Sequence, residues 1–247
     1  MIIYGINPVL EALRAGRVKE LHVGDRADTR LKRLLAIAAE RHVRVRHVPA
    51  DVLDRESRRG VHQGIVADVE GAADYSIGEI VSAATGAPLI VVLDGIEDPH
   101  NLGAILRTAD AAGVDGVVLQ SRRSAARTGI AVKASAGAVA HVKTAEVVNI
   151  ARALEELKDG GVWTVGLAGE ATDSYESVDF TLPTALVFGA EDTGLRRLVR
   201  ERCDRLASIP MQGHVASLNV SVAAGVVLFE AVRQRKTSGD PARKDPT

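Results

Sequence analysis

Hydrophobic and polar positions fall into two regimes along this chain. From Leu89 onward, short and mostly apolar runs recur at Leu89–Leu93, Gly116–Leu119, Val162–Leu167, Ala185–Phe188 and Leu206–Ile209. Helical segments over 101–112, 150–158 and 193–203 lie between most of them. Continuous apolar strands alternating with helices predict an α/β fold whose parallel sheet is covered on both faces. A final helix over about 217–235 carries Val220, Ala223, Ala224, Val227, Leu228, Ala231 and Val232 at helical spacing. Val222, Val226 and Phe229 widen that stripe until its first half is apolar nearly all round. Such a helix must be covered on most sides, by its own core or by a second subunit.

The first 70 residues follow a lighter pattern. A short helix is predicted at Asn7–Arg14, with Pro8 at a tolerated first-turn position. Strand Glu20–Val23, helix Thr29–Arg41, the alternating strand His42–Val48 and strand Gly64–Val69 follow. GAADYS and ATGAP mark 71–87 as a linker around a short helix near Ile77–Ala84. The tail KTSGDPARKDPT is polar and broken by proline, which predicts disorder over 237–247. The expected organisation is a small α/β domain over 1–70, the linker, and a larger α/β domain over 88–236.

Composition narrows the chemistry. Cys203 is the only cysteine, and no His/Cys cluster has metal-ligand spacing, so a reducing compartment and a metal-free site are expected. The start MIIYGINPVL has no basic segment followed by an apolar core, and no uncharged apolar run long enough to span a bilayer escapes interruption by polar residues or glycine. A cytoplasmic protein without a membrane partner is the expectation. Net charge is only −1, but its distribution is uneven. Residues 1–70 hold 13 Lys/Arg against 10 Asp/Glu, and Gly116–Ala145 holds Arg122, Arg123, Arg127, Lys133 and Lys143 with no acid. That local patch reads either as a dock for a phosphate backbone or as a solvated loop with chance bias.

Three joints where apolar runs end carry the candidate chemistry. In the first, LDGIEDPHNLGAILRTADAAG, Asn101 reads as the cap of a helix that ends at Gly113. Arg107 lies two turns in, and the residues three and four earlier are Ala104 and Gly103. Its guanidinium is therefore unobstructed toward Asn101 and the strand ends, where α/β sheets bind ligands. A plain surface arginine is the alternative. In the second, FGAEDTGL, Glu191 stands before a helix expected near Thr193, as a functional carboxylate or a helix-dipole partner. This segment is no dinucleotide or P-loop fingerprint, which disfavours a dehydrogenase. In the third, IPMQGHVASLNVSVAA, Ser217 reads as the helix cap, and Asn219 lies inside an apolar helix, where its amide needs a partner. His100 reads as a loop residue, and Cys203 as buried rather than nucleophilic.

Taken together, DPHNLGAILRTADAAG, LVFGAEDTGLRRL and SIPMQGHVASLNVSVAAGVVLFEA closely resemble the motifs of the SPOUT methyltransferases, in the TrmH/RlmB branch of RNA ribose 2'-O-methyltransferases. The resemblance spans essentially all of 89–235, and YGINPVLEAL and VHQGIVA resemble that branch's N-terminal substrate-binding domain. It implies a parallel sheet with a deep trefoil knot, S-adenosylmethionine as cofactor, and a homodimer formed through the knot region. By position it implies Arg107, Asn101, Glu191, Ser217 and Asn219 as the catalytic set. Gly189, Ile209, Met211, Gly213 and Leu218 would hold the cofactor. The N-terminal extension favours 23S rRNA as partner, with a guanosine ribose as methyl acceptor. Methylation of tRNA or of another rRNA nucleotide is the alternative within the class; a ribosome-assembly factor without catalysis is the alternative outside it. A hydroxyl is a poor nucleophile unless its proton leaves as the new bond forms. Arginine stays protonated in proteins, so Arg107 is better suited to orient the ribose and stabilise charge than to act as base.

Overall fold

The computed structural model describes residues 1–25, 29–70, 75–121 and 142–238. Arg122, Arg123, Arg127 and Lys133 of the basic patch lie outside the described residues, as does 239–247 of the tail.

The N-terminal part forms β1 (Ile2–Tyr4), α1 (Ile6–Arg14), β2 (Val18–Val23), α2 (Thr29–Glu40), β3 (Arg44–His47), α3 (Ala50–Glu56) and β4 (Ile65–Val69). Its sheet has the order β1-β4-β2-β3. β4 runs antiparallel to both neighbours, and β2 and β3 are parallel. Ile3, Leu21, Ala67 and partly buried Val45 join Val9 and Leu13 of α1 and Leu31 and Leu34 of α2 in the core. Two of these elements were not predicted. β1 has three residues, and α3 (ADVLDRE) buries a single apolar side chain, Leu53, so neither carries enough periodic signal.

Next come α4 (Ile77–Ser82), β5 (Leu89–Asp94), α5 (Pro99–Ala111), β6 (Gly116–Gln120), β7 (Thr144–Val147), α6 (Ile150–Asp159), β8 (Trp163–Leu167), β9 (Thr184–Gly189), α7 (Arg197–Arg202), β10 (Arg205–Ala207) and α8 (Val220–Thr237). Six strands pair in parallel in the order β10-β8-β9-β5-β6-β7. Every residue of β5 is buried, as a central parallel strand requires. Alternate side chains separate two layers. Leu89, Val91 and Leu93 pack with Leu102, Ile105, Leu106, Val227 and Leu228 of α5 and α8. Ile90 and Val92 pack with Ile77, Ile80, Leu154 and Leu157 of α4 and α6.

Three helix starts differ from the sequence expectation. Asn101 is not the cap of α5: Asp98 is, its carboxylate accepting from His100 N at 3.0 Å, with Pro99 opening the helix. His100 is therefore helical and exposed rather than in a loop. α7 starts at Arg197 rather than near Thr193. α8 starts at Val220, capped by Asn219 rather than Ser217.

Candidate active site

Strands β5 and β9 end side by side, with Asp94 in register with Gly189. Asp94 is fully buried, so its carboxylate needs charge-assisted partners. Arg196 supplies them. Its backbone N donates to Oδ2 at 2.9 Å and its Nε to Oδ1 at 2.7 Å, with a second guanidinium nitrogen also on Oδ1. This pair ties the end of β5 to the residue preceding α7. Sequence reasoning missed both residues, and an acid closing an apolar strand was the one signal available.

At Gly189 the chain passes close to its own continuation. A Cβ there would lie 2.1 Å from the Gly194 carbonyl carbon and 2.3 Å from Leu195 N. Both are backbone atoms, so no side chain can move aside. The loop between is closed by Gly194 N donating to Ala190 O at 2.8 Å. It carries Glu191 out to the solvent-facing rim.

There the three motifs meet. Asn101 Nδ2 donates to Glu191 Oε1. Asn219 Nδ2 donates to Asn101 Oδ1 at 3.0 Å and lies 3.4 Å from Glu191 Oε1. Asn219 Oδ1 accepts from Ser221 N at 2.9 Å and from Ser221 Oγ at 2.6 Å, capping α8. The amide expected inside an apolar helix is thus fully used, one end holding the helix and the other the network. Residues 118 positions apart are joined directly.

Beneath Glu191 lies a cleft of about 160 Å³. Its walls include Leu167, Phe188, Ile209, Met211 and Leu218, with small residues Gly169 and Ala190 leaving backbone accessible. Of the residues expected to hold the cofactor, Gly189, Ile209, Met211 and Leu218 line this cleft and Gly213 does not; Ser217 lines it as well. A second cleft of about 280 Å³ lies across the 190–194 loop, bounded by Asp94, Glu97, Asp98, Gln120, Asp192 and Arg196, and Glu191 borders both. Arg107 is exposed on α5, and its guanidinium bonds neither Asn101 nor any other described residue. Burial pushes the Cys203 thiol up to about 12, and its Sγ lies 3.3 Å from Val199 O, so it stays protonated and packs as a core group. Among the described residues, no group of three or more His, Cys, Asp or Glu is placed to hold a metal ion.

An apolar cleft of strand-end loops, rimmed by a carboxylate and two carboxamides, has the chemistry of a small-ligand site and carries no dinucleotide fingerprint. The SpoU rRNA Methylase family matches residues 88–229, and the family described as RNA 2'-O ribose methyltransferase substrate binding matches residues 2–75. The chain belongs to the SpoU methylase family. It is 45% identical over 240 residues to a 23S rRNA (guanosine-2'-O-)-methyltransferase RlmB of Pseudomonas putida, covering 95% of this chain and 96% of that one. Among solved structures, the SpoU methyltransferase AviRb of Streptomyces viridochromogenes in complex with AdoMet superposes with a TM-score of 0.82 at 27% identity, covering 96% of this chain and 91% of that chain. An AdoMet-bound rRNA methyltransferase of Sinorhizobium meliloti gives a TM-score of 0.75 at 28% identity, covering 94% and 86%.

Proposed function

We propose that this protein methylates the 2'-hydroxyl of a guanosine ribose in 23S rRNA, with S-adenosylmethionine as donor. The observation that carries the reading is the Asn101–Glu191–Asn219 network on the rim of the apolar cleft. The cleft fits the donor's chemistry: apolar side chains for an adenine face, and loop backbone for its polar edge. Bound there, the cofactor supplies an activated methyl on a sulfonium. Leu167, Ile209, Met211 and Leu218 hold it, and Gly189 keeps the loop crossing tight. Identity of 45% and 44% to two 23S rRNA guanosine enzymes, over 95% and 97% of this chain, favours that acceptor over tRNA.

Asn101, Glu191 and Asn219 fix one another and so hold the acceptor ribose in line with the methyl, which is where much of the rate arises. Arg107 has no protein partner among the described residues, which leaves its charge for the RNA, to orient the ribose and stabilise the developing alkoxide. The hydroxyl proton goes to a phosphate oxygen or water. Ser217 borders the same cleft. The parallel β8-β9-β5 core and the backbone crossing at Gly189 are compatible with the family's trefoil knot. Val222 and Phe229, 51% and 50% exposed and two turns apart on α8, suit a homodimer interface. No described helix is long and apolar enough to cross a membrane, and an rRNA acceptor supports a cytoplasmic location.

The test is transfer of labelled methyl from the cofactor to purified 23S rRNA and to tRNA, with mapping of the modified ribose. A single modified guanosine in 23S rRNA is expected. Transfer to tRNA alone refutes the acceptor, and transfer to neither refutes the activity.

A further inference from the structure

The N-terminal sheet turns two unlike faces outward. Register places Ile3, Ala67, Leu21 and Val45 in one row, on the face packed by α1 and α2. On the other face stand the rows Tyr4–Val66–His22–Arg46 and Ile2–Asp68–Glu20–Arg44. α3 and the turn after it lie over part of that second face. Glu56 bonds His22 Nδ1 at 2.7 Å, and Gly60 abuts Tyr4, where a Cβ would come 2.5 Å from the ring. Arg44 and Arg46 remain exposed on the β3 edge, about 7 Å apart at the spacing of alternate strand residues.

The turn is built with strain. Arg58 and Arg59 have φ of 52° and 58°, a left-handed conformation that side chains disfavour. Arg59 N donates to Asp54 O at 2.7 Å and Gly60 N to Ser57 O at 3.0 Å. Buried Ser57 donates to Asp54 O. Strained residues persist where surroundings over-determine them, commonly at ligand clamps. Here the strain projects two exposed arginines beside Arg55, around an open cleft of about 570 Å³ that Asp51 and Asp54 also line.

Except for exposed Asp51, the nearby acids are occupied. Glu20 and Glu56 engage His22, Asp54 engages His62 at 3.2 Å, and Asp68 engages the N-terminal amine at 3.0 Å. By contrast, the side chains of Arg44, Arg46, Arg55, Arg58 and Arg59 have no hydrogen-bond or ion-pair partner among the described residues. Five unpaired guanidiniums on one side of a sheet, with every neighbouring carboxylate but that of Asp51 tied up, complement a chain of phosphates.

We propose that this face, Arg44 and Arg46 on the β3 edge with Arg55, Arg58 and Arg59 above it, docks the sugar-phosphate backbone of the substrate RNA. The identity of the RNA rests on the function proposed above; the surface itself does not.

The test uses the full-length protein with Arg44→Gln/Arg46→Gln, Arg58→Gln/Arg59→Gln, the charge-keeping Arg58→Lys/Arg59→Lys, and Arg14→Gln as control. Arg14 pairs with Glu11 on α1, on the opposite face. Binding of a 23S rRNA fragment is followed by anisotropy across a salt series, alongside cofactor affinity and steady-state transfer. Each glutamine pair is expected to weaken RNA binding about tenfold and to reduce the log–log salt slope by roughly 1.5, as loss of two phosphate contacts requires. KM for RNA rises, while kcat at saturating RNA and cofactor affinity hold. The lysine pair retains the slope, and Arg14→Gln changes nothing. An unmoved affinity and slope in both glutamine pairs overturns the proposal, as does a loss shared by the control or not rescued by lysine. Competition by polyglutamate as effective as by RNA overturns it in favour of an acidic protein partner. If the wild type binds RNA through this face yet transfers no methyl, the methyltransferase reading fails and the surface stands.

Discussion

Asn219 does two jobs with one side chain, and two substitutions separate them. Its Oδ1 caps α8 through Ser221 N, and its Nδ2 reaches Asn101 and Glu191. Asn219→Ala removes both. Loss of an N-cap costs about 1 kcal/mol; the exposed bonds to Asn101 and Glu191 add little. For a chain of this size that lowers Tm by roughly 2–4 °C. Asn219→Asp keeps the cap, since Asp and Asn cap equally well. A negative charge at a helix N-terminus gains about 0.3–1 kcal/mol. Repulsion from Glu191, at the 3.4 Å separation now seen, opposes this by about 1 kcal/mol in a solvated site. The two nearly cancel, so the Asp variant should melt within about 2 °C of wild type. It nonetheless replaces the donor that reaches Asn101 and Glu191 with a repelling acceptor. A misplacement of about 1 Å costs on the order of 100-fold in rate, so both variants should lose single-turnover methyl transfer by about that factor. Scanning calorimetry and single-turnover transfer give the two readouts. An Asp variant that melts as low as the Ala variant refutes the cap; one that transfers methyl at the wild-type rate refutes the network's positioning role.

Other consequences follow from single residues. Arg107→Ala should leave cofactor binding within a few-fold by calorimetry yet abolish transfer, because its exposed guanidinium serves only the RNA; near-normal turnover would falsify that role. Gly189→Ala forces a Cβ into the Gly194–Leu195 backbone and should destabilise by about 1–3 kcal/mol or more and weaken cofactor affinity, seen together in melting and titration. Arg235, 1% exposed, donates to Phe180 O at 2.7 Å, to Pro88 O and Leu182 O at 3.0 Å, and to Ala87 O. Arg235→Met strands these carbonyls and should cost about 3–5 kcal/mol in a denaturant titration. Burial lowers the His22 pKa, but bonding and charge from Glu56 and then Glu20 outweigh it, leaving the value above 6.5. The resulting stability is full below pH 6.5 and lost as pH rises through the raised value, so Glu56→Gln should flatten the stability profile across that window.

Five of the six strands of the larger sheet were legible because parallel strands buried on two faces read as mostly apolar runs, as β5 and β9 do, whereas β7 (TAEV) was missed because Thr144 and Glu146 break its run. Three helix starts were not, although helices begin at Thr29, Ile77 and Ile150 as expected. The expected start near Thr193 fails because Gly194 takes a φ of 63° and Arg196 spends its N–H on Asp94, so the helix waits until Arg197. Asn101 and Asn219 were picked out as residues, but their parts were reversed: the expected cap lies inside α5, and the expected interior amide is the cap of α8. The start of α5 had a local signal, Asp98 followed by Pro99, that went unused, whereas the bonds that join Asn101 and Asn219 to Glu191 and to each other span 90, 28 and 118 positions and leave no local mark. The Asp94–Arg196 pair, 102 positions apart, was invisible for the same reason.

The corrected helix starts change the electrostatics of the site. Asn101 now lies in the first turn of α5 and Asn219 at the first boundary of α8, and both hold the same Glu191 carboxylate. Two helix N-termini, each carrying partial positive charge, therefore converge on one point at the cleft rim. Glu191 satisfies that point in the free protein. In the proposed reaction an oxygen gaining negative charge would arrive beside this point, and the helix ends and carboxamides stabilise it once Glu191 turns aside. That division of labour frees Arg107 from acting as a base: the helix ends and carboxamides align the ribose, and the arginine orients the RNA and shares in stabilising the developing alkoxide. It also predicts that moving the negative charge of Glu191, by Glu191→Gln, weakens the network's geometry without removing its positive field, so that kcat falls while cofactor affinity is retained.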